Sequence, residues 1–137
     1  MDSDRPDLGE MVMRLGRRLI AMEQPILAGH ELSMWGYVVL TALSRRTVRT
    51  QAALATAIGA DKTRLIPILD DLQHRGLIHR EPDPADRRVR LLALTPAGTS
   101  LHQRIQTAIR AAENDLLATL SESDRHGFLA ALRALHS

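Results

Sequence analysis

Residues 50–98 read TQAALATAIGADKTRLIPILDDLQHRGLIHREPDPADRRVRLLALTPAG, and the periodicities in this stretch decide the architecture. Thr50 suits a helix N-cap, because its hydroxyl can accept an orphaned amide of the first turn. The spacing then predicts a short Ala-rich helix over 51–58 that buries Leu54 and Ile58. Gly59 breaks it, since a left-handed turn residue is cheap only as glycine. A second helix is predicted from Asp61 to about Arg75, with Leu65, Ile68, Leu69 and Leu72 on its apolar face and Gly76 closing it. Two short helices around a glycine turn are the sequence form of a helix-turn-helix. The period then changes. Leu77–Arg80 and Val89–Leu94 read as strands, and Glu81–Arg88, with two prolines and three acids, reads as the turn or loop joining them. Thr95-Pro96 starts a further helix, the threonine as cap and the proline in the first helical position.

Outward from this centre the pattern is helical on both sides. Leu8, Met11, Val12, Leu15, Leu19, Met22 and Ile26 form one apolar stripe, with Arg14, Arg17 and Arg18 on the other face and Pro25 and Gly29 expected to end or kink the helix. Ser33 reads as the cap of the next helix, with Trp35, Val38, Val39 and Ala42 inward. After Pro96, Leu101, Ile105, Ile109, Ala112, Leu116 and Leu120 define a helix of roughly 25 residues, more than this small core can cover. Ser121 with Asp124 resembles a capping box for a last helix carrying Phe128, Leu129, Leu132 and Leu135.

The chain has 137 residues and no cysteine, which excludes disulfides, thiolate metal sites and thiol redox sensing. No apolar run approaches the roughly 20 residues of a membrane span, and the polar, acidic start is unlike a secretory signal. A cytoplasmic protein is the expectation. Trp35, Tyr37 and Phe128 are the only aromatics, few for a binder that stacks single-stranded bases. Net charge is +2, yet Arg45 to Arg90 holds ten Lys or Arg against six Asp or Glu, and the flanks hold eight against ten. A basic centre suits contact with duplex DNA; a solvated charged surface would give the same difference.

A helix-turn-helix followed by a hairpin is the winged-helix arrangement, and the order of pieces resembles the MarR family, the multiple antibiotic resistance regulators. Leu54-Ala55, Ile58-Gly59, the run Leu72 to Ile78, Asp86-Arg87-Arg88 and Leu94-Thr95-Pro96-Ala97-Gly98 carry the resemblance, which covers nearly the whole chain. It implies a mostly α winged helix-turn-helix with a small β-hairpin wing, a DNA-binding lobe over 33–94, and dimerisation helices in 1–32 and 95–137 that interlock in a homodimer. The apolar surplus at both ends agrees with that, against the alternative of a bundle folding its own termini together.

In a helix-turn-helix the N-terminal part of the second helix meets base edges, which singles out Lys62, Thr63 and Arg64. Pro67 departs from the family pattern; it either kinks this helix or presents an apolar face to a thymine methyl. By resemblance, Arg88 reaches into the minor groove and Asp86 orients it or an adjacent arginine, while Arg87 and Arg90 supply phosphate contacts. For Asp86, a salt bridge that only stiffens the hairpin is the rival role.

The implied activity is that of a transcriptional repressor on a pseudopalindromic operator in double-stranded DNA. The family also responds to small amphipathic or aromatic acids. Trp35, Tyr37, Met11, His30 and Arg14 fall near where such an effector would sit, although core packing is the simpler role for Trp35 and Met11, and no ligand residue is assigned. An enzyme reading finds no site: Asp70 and Asp71 diverge by about 100° on a helix, and the histidines show no metal-ligand spacing. No catalytic residue, metal or cofactor is expected. A metal sensor built from scattered histidines, or a winged helix that binds only protein, are the other readings.

Overall fold

The computed structural model describes residues 3–45 and 50–136. Residues 46–49, and with them Arg46 and Arg49 of the expected basic centre, lie outside them. The described residues form α1 (Leu8–Gly29), α2 (Met34–Arg45), α3 (Gln51–Ile58), α4 (Lys62–His74), β1 (Ile78–Asp83), β2 (Asp86–Leu94), α5 (Pro96–Leu117) and α6 (Glu122–His136). No single helix among them is long and apolar enough to cross a membrane. The chain divides into two compact units, Gln24–Gln106 and Met1–Glu23 with Thr107–Ser137.

Side-chain caps start the helices where the sequence places them. Ser33 accepts the amide of Gly36, Thr50 that of Ala53, Thr95 that of Gly98 and Ser121 that of Asp124, all at 2.8–3.1 Å. Asp61 accepts from the Thr63 amide at 3.3 Å. Gly59 and Gly76 adopt φ of 69° and 72°, the left-handed conformation that lets α3 and α4 end in tight turns.

The unit Gln24–Gln106 holds the helix-turn-helix and the hairpin. Val39, Leu40, Leu54, Leu65, Leu69, Leu72, Ile78, Leu92 and Ile105 make its core, each under 2% exposed. The buried face of α2 is Gly36, Val39, Leu40 and Leu43, so Trp35, Val38 and Ala42 are only half-buried rather than inward. The stripe is turned because Gly36 packs against Leu32: a Cβ there would lie 2.9 Å from the Leu32 Cδ1. Ile58 is half-buried beside the buried Leu54 and Ala55.

The hairpin is longer and its loop shorter than the composition of 81–88 implies. β1 runs to Asp83 and β2 starts at Asp86, leaving Pro84-Ala85 as the turn. Among the described residues the sheet has two strands, so each is an edge strand, and an edge tolerates Pro82 because its missing amide need not face a neighbour. The register shifts between Pro82 and Asp83, and the Asp83 carboxylate closes the turn by accepting the Ala85 amide at 2.9 Å. A short run rich in proline and acids therefore still pairs.

The start of α5 seats against the end of α4. The Thr95 hydroxyl donates to the Gly76 carbonyl at 2.6 Å, and the Thr95 amide to the Leu77 carbonyl at 3.1 Å. One turn on, Gly98 comes so close that a Cβ would stand 2.0 Å from the Leu77 carbonyl oxygen.

α1 passes through Pro25 without ending and stops at Gly29. α5 stops at Leu117, short of Leu120, which is exposed in the following turn. Burial on α5 fades along its length: Leu101, Ile105 and Ile109 are buried, Ala112 and Leu116 half-buried. Leu8, Val12, Met13 and Leu135 are 58–78% exposed. An apolar groove of about 320 Å³, lined by Val12, Leu15, Leu19, Leu116, Phe128 and Leu132, opens in the unit that contains both termini. In the same unit Glu23 is half-buried, and its carboxyl is held above the usual carboxylate range by burial and then by the charge of Glu113, which lines the groove.

Two outcomes are expected in unfolding experiments. Gly98→Ala forces a methyl onto a backbone carbonyl and should lower stability by about 1–3 kcal/mol, the usual scale of overpacking; unchanged thermal unfolding would show that the α4–α5 junction yields. Because the folded state binds the Glu23 proton more tightly than the unfolded chain, ionising it costs stability as pH rises from the unfolded to the folded pKa. Glu23→Gln should therefore raise the melting temperature at pH 7, and the gain should close once pH falls below the ordinary carboxylate value.

Candidate nucleic-acid interface

The inward face of α4 anchors it: Leu65, Leu69 and Leu72 are at most 1% exposed. At about 100° per residue, that leaves Thr63, Pro67, Asp70 and His74 on the opposite stripe, and all four are exposed. Lys62, Thr63 and Arg64 form the first turn after the Asp61 cap and are likewise exposed. Pro67 lies inside the helix without ending it and faces solvent, so the apolar surface it presents is outward.

On the hairpin, Arg88 and Arg90 share one face of β2 and Arg87 takes the other, as strand alternation requires; all three are exposed. The Asp86 carboxylate accepts the Arg88 amide at 3.1 Å and the Arg88 Nε at 3.2 Å. The Arg88 side chain is 92% exposed, so this contact sets its direction without burying it. Among the described residues, Lys62, Arg64, Arg87 and Arg90 make no ion pair. Exposed cations without carboxylate partners are what an incoming phosphate backbone needs.

Sequence reasoning missed Arg80. From β1 its Nε donates to Gln73 Oε1 at 2.6 Å, its Nη1 to Gln51 Oε1 at 2.7 Å, and its Nη2 to the Asp70 carboxylate. One guanidinium thus ties the hairpin to α4 and α3, using the fan of donors that only arginine has. Asp70 and Gln73 lie three apart on one helix face, the one local sign in the sequence that they share a partner. Arg75, the C-cap of α4, works similarly, donating to the carbonyls of Glu31 at 2.8 Å and His30 at 3.3 Å. It also reaches Asp71 at 3.7 Å, so Asp70 and Asp71 serve separate arginines. His102, 4% exposed, was also not foreseen: its Nε2 meets Thr41 Oγ1 at 3.1 Å and its ring stacks on Tyr37 with centroids 5.4 Å apart.

Met11 and Arg14 belong to one unit and His30, Trp35 and Tyr37 to the other. Arg14 pairs with Glu10 at 3.2 Å. Among the described residues no three His, Asp or Glu side chains converge as a metal site.

Residues 32–89, which hold the helix-turn-helix and most of the hairpin, match the sequence profile of the MarR family. The chain is similar to a protein of Thauera aromatica described as a transcriptional regulatory protein for the hcr operon, with 31% identity over 100 residues, 73% of this chain. It spans 60% of that relative's length. Its fold is that of a mutant MarR from Escherichia coli, with a TM-score of 0.87 at 18% identity over 98% of this chain and all of the other. The transcriptional repressor CouR bound to a 23-mer DNA duplex superposes with a TM-score of 0.83 at 27% identity, over 96% and 93% of the two chains. CouR from Rhodococcus jostii bound to p-coumaroyl-CoA gives 0.78 at 25% identity, over 94% and 91%.

If Arg80 is the tie between the hairpin and α4, Arg80→Ala should cost about 1–3 kcal/mol, the range for charge-assisted hydrogen bonds. Hydrogen exchange should then speed up in 78–94 more than in 62–74. Uniform protection across both segments would show that the tie is dispensable.

Proposed function

We propose that this chain is a sequence-specific transcriptional repressor that binds a pseudopalindromic operator as a homodimer and is released by a small amphipathic or aromatic molecule. The observation that carries the reading is the set of exposed, unpaired cations on a MarR domain: Lys62 and Arg64 at the start of α4, Arg87 and Arg90 on the wing. In this reading the first turn of α4 enters the major groove, where Lys62 and Arg64 meet guanine acceptors or phosphates and Thr63 a phosphate or a thymine methyl. Arg88, aimed by Asp86, enters the adjacent minor groove, where a narrow A·T-rich tract attracts a guanidinium. Arg87 and Arg90 hold phosphates on either side. The DNA-bound repressor CouR supports duplex DNA as the partner.

The homodimer rests on the exposed apolar side chains of the unit containing both termini. Leu8, Val12, Met13 and Leu135 would be costly to leave in water, and a second copy offers the matching surface. Residues 33–94 then serve as the DNA-binding lobe and 1–32 with 95–137 as the dimerisation helices. The dimer would space two recognition helices about one helical turn of DNA apart. An effector weakens binding only by favouring a spacing that misfits the operator; the p-coumaroyl-CoA complex of CouR supports an amphipathic, aromatic class. None of this requires catalysis, and it places the protein in the cytoplasm with its DNA.

The deciding experiment is selection of fragmented source DNA by the purified protein at moderate salt, followed by sequencing. Enrichment of an inverted repeat is the expected result; no enrichment by folded, dimeric protein would favour a winged helix that binds only protein. On the enriched duplex, affinity should fall steeply with added salt as counterions are released. Arg88→Ala should weaken binding about tenfold or more with an unchanged melting temperature; equal affinity would remove the wing from the mechanism.

A further inference from the structure

Ile66 is 40% exposed, and among the described residues it is the one large hydrophobic side chain exposed in the unit Gln24–Gln106. It is followed on α4 by Pro67, also exposed. Thr63, one turn earlier on the same stripe as Pro67, adds a methyl group. Three neighbouring outward positions on the second helix of a helix-turn-helix are thus apolar or carry a methyl, in a unit whose other described large hydrophobic side chains are buried or half-buried.

The carboxylate next along this stripe does not oppose DNA. Asp70 is paired with Arg80, whose other donors are taken by Gln73 and Gln51. The helix therefore presents an apolar patch whose following acid on the stripe, Asp70, is neutralised, with the cations Lys62 and Arg64 at its N-terminal end. Duplex DNA offers one apolar group to an element in its major groove, the thymine 5-methyl. Pro67 is an expensive way to hold a merely solvated position, since an interior helical proline costs about 3 kcal/mol relative to alanine.

We infer that Ile66 and Pro67, with the Thr63 methyl, read thymine methyl groups in the major groove of each operator half-site. This rests on the proposed DNA-binding function and assigns its sequence preference. Lys62, Arg64 and the wing hold the phosphate backbone and neighbouring bases, while Ile66 and Pro67 distinguish T·A from the other pairs by contact with the methyl rather than by a hydrogen bond.

The test removes the methyl alone. The probes are the tightest duplex selected by the protein from a random-sequence pool and copies carrying deoxyuridine for thymidine at one position at a time. Wild-type protein should lose about threefold or more in affinity at one or more thymidines in each half-site, the scale of one buried methyl group. Pro67→Ala and Ile66→Ala should bind the parent duplex more weakly and lose that sensitivity at the positions each contacts. Pro67→Ala replaces a helix breaker with the best helix former, so its fold is not at risk. Wild-type binding that is indifferent to deoxyuridine everywhere overturns the inference and leaves the repressor reading intact. Sensitivity that persists undiminished in both variants also overturns it, by assigning the methyls to other residues. Failure to select any duplex overturns the DNA-binding reading itself.

Discussion

The winged unit depends on how the carbonyls at the end of α4 are satisfied. The amides of Arg75, Gly76 and Leu77 close the last turn locally, on the carbonyls of Asp71, Gln73 and Leu72, and for the Gly76 carbonyl just beyond it the chain returns nineteen residues later with the Thr95 hydroxyl. The Thr95 amide takes the Leu77 carbonyl, and Gly98 lets the backbone of α5 approach that same oxygen. One junction thereby closes α4, starts β1, receives the end of β2 and caps α5. The hairpin cannot twist away without breaking it, and no residue with a side chain fits at Gly98 without moving the Leu77 backbone.

A second constraint works from the wing side. Arg80 is held by Gln73, Gln51 and Asp70, so α3, α4 and β1 meet at one guanidinium. Burying most of an arginine is costly unless its donors are occupied, and all three of its nitrogens are. The result is a hairpin whose root is rigid while its tip carries exposed arginines. That division is useful for an element that must meet the DNA backbone at a set angle: pre-organised contacts lose less entropy on binding. It also removes a negative charge from the surface of α4 that the proposed reading turns towards DNA.

The unit that contains both termini is built on the opposite principle. Its helices carry apolar stripes that the chain does not cover, and burial along α5 declines from Ile109 to Leu116. Glu23 and Glu113 sit among these stripes, one of them held above its usual pKa range. An incompletely covered apolar face with carboxylates inside it is a poor end state for a monomer, which is why the proposed function gives it a second copy.

Much of this was determined by the sequence alone. The helix starts at Ser33, Thr50, Asp61, Thr95 and Ser121 and the breaks at Gly59 and Gly76 depend on short-range hydrogen bonds and on φ, and both are local properties of residue type. So is the outward position of Lys62, Thr63 and Arg64, which follows from helical period once Leu65, Leu69 and Leu72 are inside. What only the tertiary structure decided involves partners far apart in the chain. Whether 81–88 pairs or loops depended on the hairpin having no further strand, which lets Pro82 occupy an edge. The roles of Arg80, Arg75 and His102 depended on Gln51, Glu31 and Thr41, contacts 29, 44 and 61 residues away. A side chain's local pattern says that it is polar; only the fold says which distant group it meets, because that pairing is set by packing of the elements and not by the period within any one of them.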